Sequence, residues 1–270
     1  MCKNAPGPGR TAPGKIVRES VGPVRLIDDA TGSAAGPAGP PDGDVRPAKR
    51  APVVVAAVAG LGLLLLTAAL LRDPTLLGWD NGLQALVSPQ RGAAGAAVQA
   101  CVLIGQRGLI APLALGAAGW LALRARRPGP LLSLLGCLVA VGVVTTLLKN
   151  VVGRSAPAAG ASLLHAGGQS YPSGHTAGAV TVYGVLALLL TAPAAPLAAR
   201  ARPLLLTAAG LLGALTGAGV VLRGYHWVSD SVAGYLIGIV AVALAARAIP
   251  GGSGQSEDSQ VRVEPPPNSR

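Results

Sequence analysis

Long apolar runs separated by short polar edges dominate this chain. A helix crossing a bilayer needs roughly 20 predominantly apolar residues, about 30 Å of rise. Six such spans are expected: Pro52–Leu71, one within Ala93–Leu123, Leu131–Leu148, Thr176–Leu190, Leu204–Leu222 and Ser231–Ala246. The second is interrupted by Gln106-Arg107 and is expected as one long helix whose first half lies near the interface. Residues 73–92, with Trp79, Asp80 and Gln84, read as an interfacial turn or amphipathic segment. Trp79, Trp120 and Trp227 read as interface anchors. Gly210, Gly213 and Gly217 read as points of close helix packing. The fold predicted for 51–248 is therefore all-α, a polytopic membrane bundle of six transmembrane helices. Residues 1–50 and 249–270 carry no periodic apolar pattern and are expected as disordered cytoplasmic tails.

Composition agrees with a membrane protein. Hydrophobic residues make up 51% of the 270 and charged residues only 12%, with a mean hydropathy of +0.53. The formal charge of +11 suggests nucleic acid at first sight, but Phe is absent and only 3% of residues are aromatic. Base-stacking platforms are lacking, and the basic residues flank apolar runs instead. Their distribution sets an orientation. With both tails inside, the cytoplasmic side holds sixteen of the 22 Lys and Arg residues. Lys149, the 150–175 loop and the 223–230 loop then all face the extracytoplasmic side. Cys2, Cys101 and Cys137 form no disulfide framework and no zinc-ligand spacing.

Three polar clusters stand out at these membrane edges, where ionisable groups are functional candidates because insertion penalises them. They are Lys149, Pro172-Ser173-Gly174-His175, and His226-Trp227-Val228-Ser229-Asp230. The set suits phosphoryl transfer, which needs a nucleophile, a proton donor for the leaving oxygen and cationic or N–H donors for the other oxygens. His226 and Asp230 are four apart, so on a helix beginning here they share a face. The carboxylate then fixes one ring nitrogen as a donor and frees the other to attack phosphorus. His175 opens a different helix behind Ser173-Gly174, where a hydroxyl and unpaired N–H groups meet anionic oxygens. Lys149 supplies a fixed charge and Arg154 a fork suited to phosphate. His165, in a Gly-rich loop, reads as solvated.

The order Lys149…Arg154…Pro157, Pro172-Ser173-Gly174-His175, His226…Asp230 resembles the three-part signature of the type 2 phosphatidic acid phosphatase and vanadium haloperoxidase superfamily. The resemblance covers about residues 50–248. It implies a six-helix membrane core with an outward-facing site, no cofactor, and no metal for phosphatase action. It also implies His226 as nucleophile, Asp230 as its partner and His175 as acid, with Lys149, Ser173 and the Gly174 amide as phosphate ligands. Two departures stand out: where the family usually has arginine, this chain has Ala156 and Val220. Arg154 and Arg223 are expected to supply that charge from displaced positions. The expected activity is metal-independent hydrolysis of a lipid phosphate monoester or diphosphate through a phosphohistidine. Transfer from the same intermediate to an acceptor, or a catalytically weakened lipid-phosphate binder, are the alternatives. The expected partners are a membrane lipid phosphate and the bilayer itself.

Overall fold

The computed structural model describes residues 47–87, 91–193 and 195–249, and all of the regular structure there is helical. The elements are α1 (Pro47–Arg72), α2 (Pro74–Ala85), α3 (Gly92–Ile104), α4 (Arg107–Ala125), α5 (Gly129–Val152), α6 (Gly174–Leu190), α7 (Arg202–Leu222) and α8 (Val228–Ala248). Most of residues 1–50 and 249–270, expected as tails, lies outside the described residues. Local chemistry marks several boundaries. Asp73 accepts from the Thr75 amide at 2.8 Å and is followed by Pro74, so α2 starts with a cap and a preset φ. At its C-terminus α5 stops on Gly153, at φ +54.

Helices α1, α4, α5, α7 and α8 are each long and apolar enough to cross a bilayer. The remaining expected span, α6, is a 17-residue helix, about 25 Å long. Rows of Leu and Val such as Val58, Leu64, Leu113 and Leu123 point outward, where only a lipid environment makes them favourable. Inside, small residues and buried Ser and Thr stand beside a core of Leu, Val and Ile. The chain is thus a multi-pass membrane protein.

One expectation fails in detail. Ala93–Leu123 is not one helix but two, α3 and α4, broken at Gly105-Gln106. A Cβ on Gly105 would stand 2.1 Å from Thr216 Cγ2 and 3.1 Å from the His175 carbonyl oxygen. The break therefore wedges the chain between α6 and α7, and it turns Gln106 and Arg107 toward the start of α6.

Twelve of the seventeen α6 residues are buried, which makes it the central helix. It packs against α4, α5, α7 and α8, while α1 covers α8 and α3 covers α7. Close approach depends on glycine: a Cβ on Gly213 would meet Val180 Cγ2 at 2.3 Å, and one on Gly238 would meet Val180 Cβ at 2.5 Å. Gly234 meets backbone instead of a side chain, because its added Cβ would lie 2.4 Å from the Ser173 carbonyl oxygen. Gly234→Ala is expected to push apart the beginnings of α6 and α8. The cost should be about 1–3 kcal/mol, read as a lower thermal midpoint in detergent together with reduced activity.

Direction follows from the packing of α1 on α8. Pro52 and Val55 lie beside Ala243 and Ala246, whereas Leu70 packs with Ala233 and Tyr171. The ends of α1, α5 and α7 and the beginnings of α4, α6 and α8 therefore share one end of the bundle. Pro47 and Ala248 lie at the other.

Candidate active site

Three stretches from that shared end fold together. The segment after α5 turns back over the bundle, and the Trp227 indole N–H donates to the Ser155 carbonyl at 2.8 Å. Trp227 is 1% exposed, so it anchors the site from within and is not the interface residue expected of it. Trp79 and Trp120 are exposed. Ser173 caps α6, its hydroxyl accepting from the Thr176 amide at 3.4 Å. The Ser173 amide donates to the Asp230 carbonyl at 2.9 Å, tying the starts of α6 and α8 together. Tyr171 is buried beneath this turn, and its hydroxyl lies 2.7 Å from that of Thr67. Burial pushes its phenol up to about 12, so it remains a neutral hydroxyl.

His175 and His226 meet in a cavity of about 500 Å³. Their rings are 6.2 Å apart between centroids, at an interplanar angle of 66°. Lys149, Gly174, Arg107 and Gln106 line the same space, and among the described residues no carboxylate does. His226 Nδ1 lies 2.9 Å from the Ser170 carbonyl oxygen. A carbonyl only accepts, so Nδ1 carries the proton and Nε2 is left with its lone pair. His175 Nε2 donates to Gln106 Oε1 at 2.8 Å. The Lys149 ammonium donates to the Gln169 carbonyl.

Asp230 does not hold His226 in the way its spacing suggests. Helix α8 begins only at Val228, so His226 precedes it and the two residues do not share a helical face. Asp230 Oδ2 stands 3.5 Å from Nδ1, too far to compete with the Ser170 carbonyl. Instead Oδ2 accepts from the Ser170 hydroxyl at 2.5 Å and from the Trp227 amide at 3.0 Å. The carboxylate thus orients His226 through Ser170, a residue the spacing of the motifs gave no reason to choose.

Neither displaced arginine reaches the cavity. Arg154 is wholly buried, and all five of its N–H donors are used. Nε and Nη2 donate to the Ser162 hydroxyl at 2.9 and 2.7 Å. Nη1 serves Ser229 at 2.7 Å and Asp230 Oδ1 at 2.6 Å, and Nη2 also binds Asp80 Oδ2 at 2.6 Å. It is a strut between two carboxylates and has no donor left for phosphate. Arg223 is exposed and stacks over the Tyr225 ring at 5.9 Å. Ser173 is spent as a buried cap, and its hydroxyl is absent from the cavity lining. Ala156 does line the cavity, and Val220 is buried in the core.

Two residues missed in the sequence complete the picture. Asp80, read as part of an interfacial turn, is buried and bonds Arg154, the Ser229 amide at 3.1 Å and the Ser229 hydroxyl. Its signal was scarcity, because Asp73, Asp80 and Asp230 are the only acidic residues between 51 and 249. The second is Arg107, whose signal was its position in the middle of an apolar stretch.

Two histidines thus face one another over a cationic cavity at the mouth of a membrane-embedded helical bundle. Residues 130–251 match the PAP2 superfamily model, and this segment carries all three motifs. Phosphatidylglycerophosphatase B of Bacillus subtilis (strain 168) is 31% identical to this chain over 98 residues. That stretch is 36% of this chain and 47% of the relative, so the match spans about half of that protein's length. The crystal structure of a transmembrane PAP2 type phosphatidylglycerolphosphate phosphatase from Bacillus subtilis shares the fold. Its TM-score is 0.61 at 23% identity, covering 73% of this chain and 94% of that one.

Proposed function

We propose that the protein hydrolyses a phosphate monoester or diphosphate on a membrane lipid, through a phosphohistidine on His226, at the extracytoplasmic face. The observation that carries this reading is the pair of imidazoles, centroids 6.2 Å apart, over a cavity that, among the described residues, two cations line and no carboxylate does. His226 Nε2 attacks phosphorus, the bond from phosphorus to the lipid oxygen breaks, and its electron pair leaves with that oxygen. His175 enters as an imidazolium, keeps its Nε2–H on Gln106 and gives that oxygen the proton on Nδ1. Water then attacks the phosphohistidine, His175 takes the proton back, and orthophosphate departs with the His226 ring restored. Lys149 and the unpaired N–H groups at the start of α6, from Gly174 and His175, balance the charge on the oxygens. Asp230 and Ser170 keep Nδ1–H pointed away, so that Nε2 remains the attacking atom.

The names of the relatives make phosphatidylglycerol phosphate the first substrate to offer, followed by phosphatidic acid and a polyprenyl diphosphate. The bias of basic residues toward the opposite end of the bundle supports an outward-facing cavity. To test the reading, the purified protein is placed in vesicles and given each lipid from outside. Orthophosphate release is expected from the wild type and not from His226→Ala. Equal release by the two proteins would overturn the assignment. A phosphorylated acceptor appearing in place of orthophosphate would make the protein a phosphotransferase.

A further inference from the structure

Arg107 sits outside the matched segment, at the first position of α4, and no motif assigns it a part. Its seat is built to fit. Nε donates to the Gly174 carbonyl at 2.9 Å, which fixes the plane of the guanidinium beside the first turn of α6. A Cβ on Gly174 would lie 2.2 Å from Nη2, and one on Gly178 would lie 2.8 Å from Cγ and 3.1 Å from Nε. Two bare α-carbons one helical turn apart thus form the slot that holds this side chain. Arg107 lines the cavity together with Lys149, His175 and His226. Among the described residues its Nη atoms have no hydrogen-bond partner. A half-buried guanidinium with an anchored Nε and unpaired Nη donors is suited to two oxygens of one tetrahedral anion.

We infer that Arg107, presented by the break between α3 and α4, is the arginine that grips the phosphoryl oxygens in this protein. This rests on the phosphatase reading above. The neighbouring Gln106 is a positioning residue: its Oε1 holds His175 Nε2–H at 2.8 Å, so the same break sets both the anion clamp and the orientation of the proton donor. The arginine of the site therefore comes from an element earlier in the chain than the motifs and stands beside Lys149, and α6 adds the glycine slot to His175 and its N–H groups.

The test uses the full chain in detergent and two readouts, binding of inorganic phosphate by calorimetry and hydrolysis of the lipid phosphate. Arg107→Ala is expected to weaken phosphate binding about 10- to 100-fold, the range for a lost charge-assisted pair. Hydrolysis should fall at least as far. Arg107→Lys keeps the charge without the fork and should recover only part of both. Added methylguanidinium should restore hydrolysis by Arg107→Ala, which a purely structural loss would not permit. Gly178→Ala leaves the guanidinium in the chain but pushes it from its slot, and is expected to weaken phosphate binding in a protein that still folds. Arg72→Ala removes an exposed cation from the same end of the bundle and should change neither readout. If Arg107→Ala and Gly178→Ala, both folded, bind phosphate as the wild type does while His226→Ala abolishes hydrolysis, the inference on Arg107 is wrong and the phosphatase reading stands. If the wild type neither binds phosphate nor hydrolyses any lipid phosphate, both are wrong.

Discussion

Alanine at His226 is expected to abolish turnover on every phosphate ester, whereas alanine at His175 should discriminate between esters by leaving group. A nucleophile cannot be replaced by a better substrate, so His226→Ala should lose at least about 10⁴-fold and trap no covalent phosphate. A proton donor matters only as much as the leaving oxygen needs its proton. With an alkyl lipid ester, His175→Ala should lose about 10²- to 10⁴-fold. With an activated aryl phosphate, whose phenolate leaves unaided, most of that loss should vanish for the first step. The geometry behind the split is specific. Nε2 of His226 is freed because Ser170 holds Nδ1 at 2.9 Å, and His175 meets it from another helix. An equal loss on both esters in His175→Ala would reassign His175 from proton transfer to binding.

The second large effect concerns folding. Arg154→Ala is expected to destabilise the protein by about 3–5 kcal/mol, because it strands Asp80 and Asp230, both buried, without their counter-charge. Asp80→Ala should cost less, since Arg154 keeps Asp230 as a partner at 2.6 Å. Unfolding in mixed detergent, followed through the buried Trp227, would measure both. Should Arg154→Ala instead unfold like the wild type and bind phosphate more weakly, its guanidinium would have to be counted among the phosphate ligands.

Much of the architecture was readable because it is written in long local runs. The apolar stretches gave α1, α5, α6, α7 and α8 to within a few residues, and the motif order placed His175 and His226 at one end. What escaped notice depends on partners far apart in the chain. Asp80 meets Arg154 across 74 positions and Ser229 across 149, and no periodicity encodes such a pairing. Arg154 illustrates the hazard. Its place after Lys149 suggested a phosphate ligand, yet an arginine has five donors, and here two carboxylates and two serines claim them all. The break at Gly105-Gln106 was ambiguous for a different reason. A polar pair within an apolar run can face lipid headgroups or the protein interior, and only the approach of Thr216 and His175 settles which.

Asp230 is bonded at once to the Trp227 amide, to Ser170 and to Arg154. The same carboxylate therefore starts the last helix, orients the His226 ring through Ser170 and closes the buried ion cluster. A substitution at this position therefore disturbs all three at once. On the proposed mechanism, a molecule whose final helix has not docked is also a molecule without its nucleophile. Nascent chains would then stay inert until insertion is finished, and specific activity would count the correctly inserted fraction of a preparation.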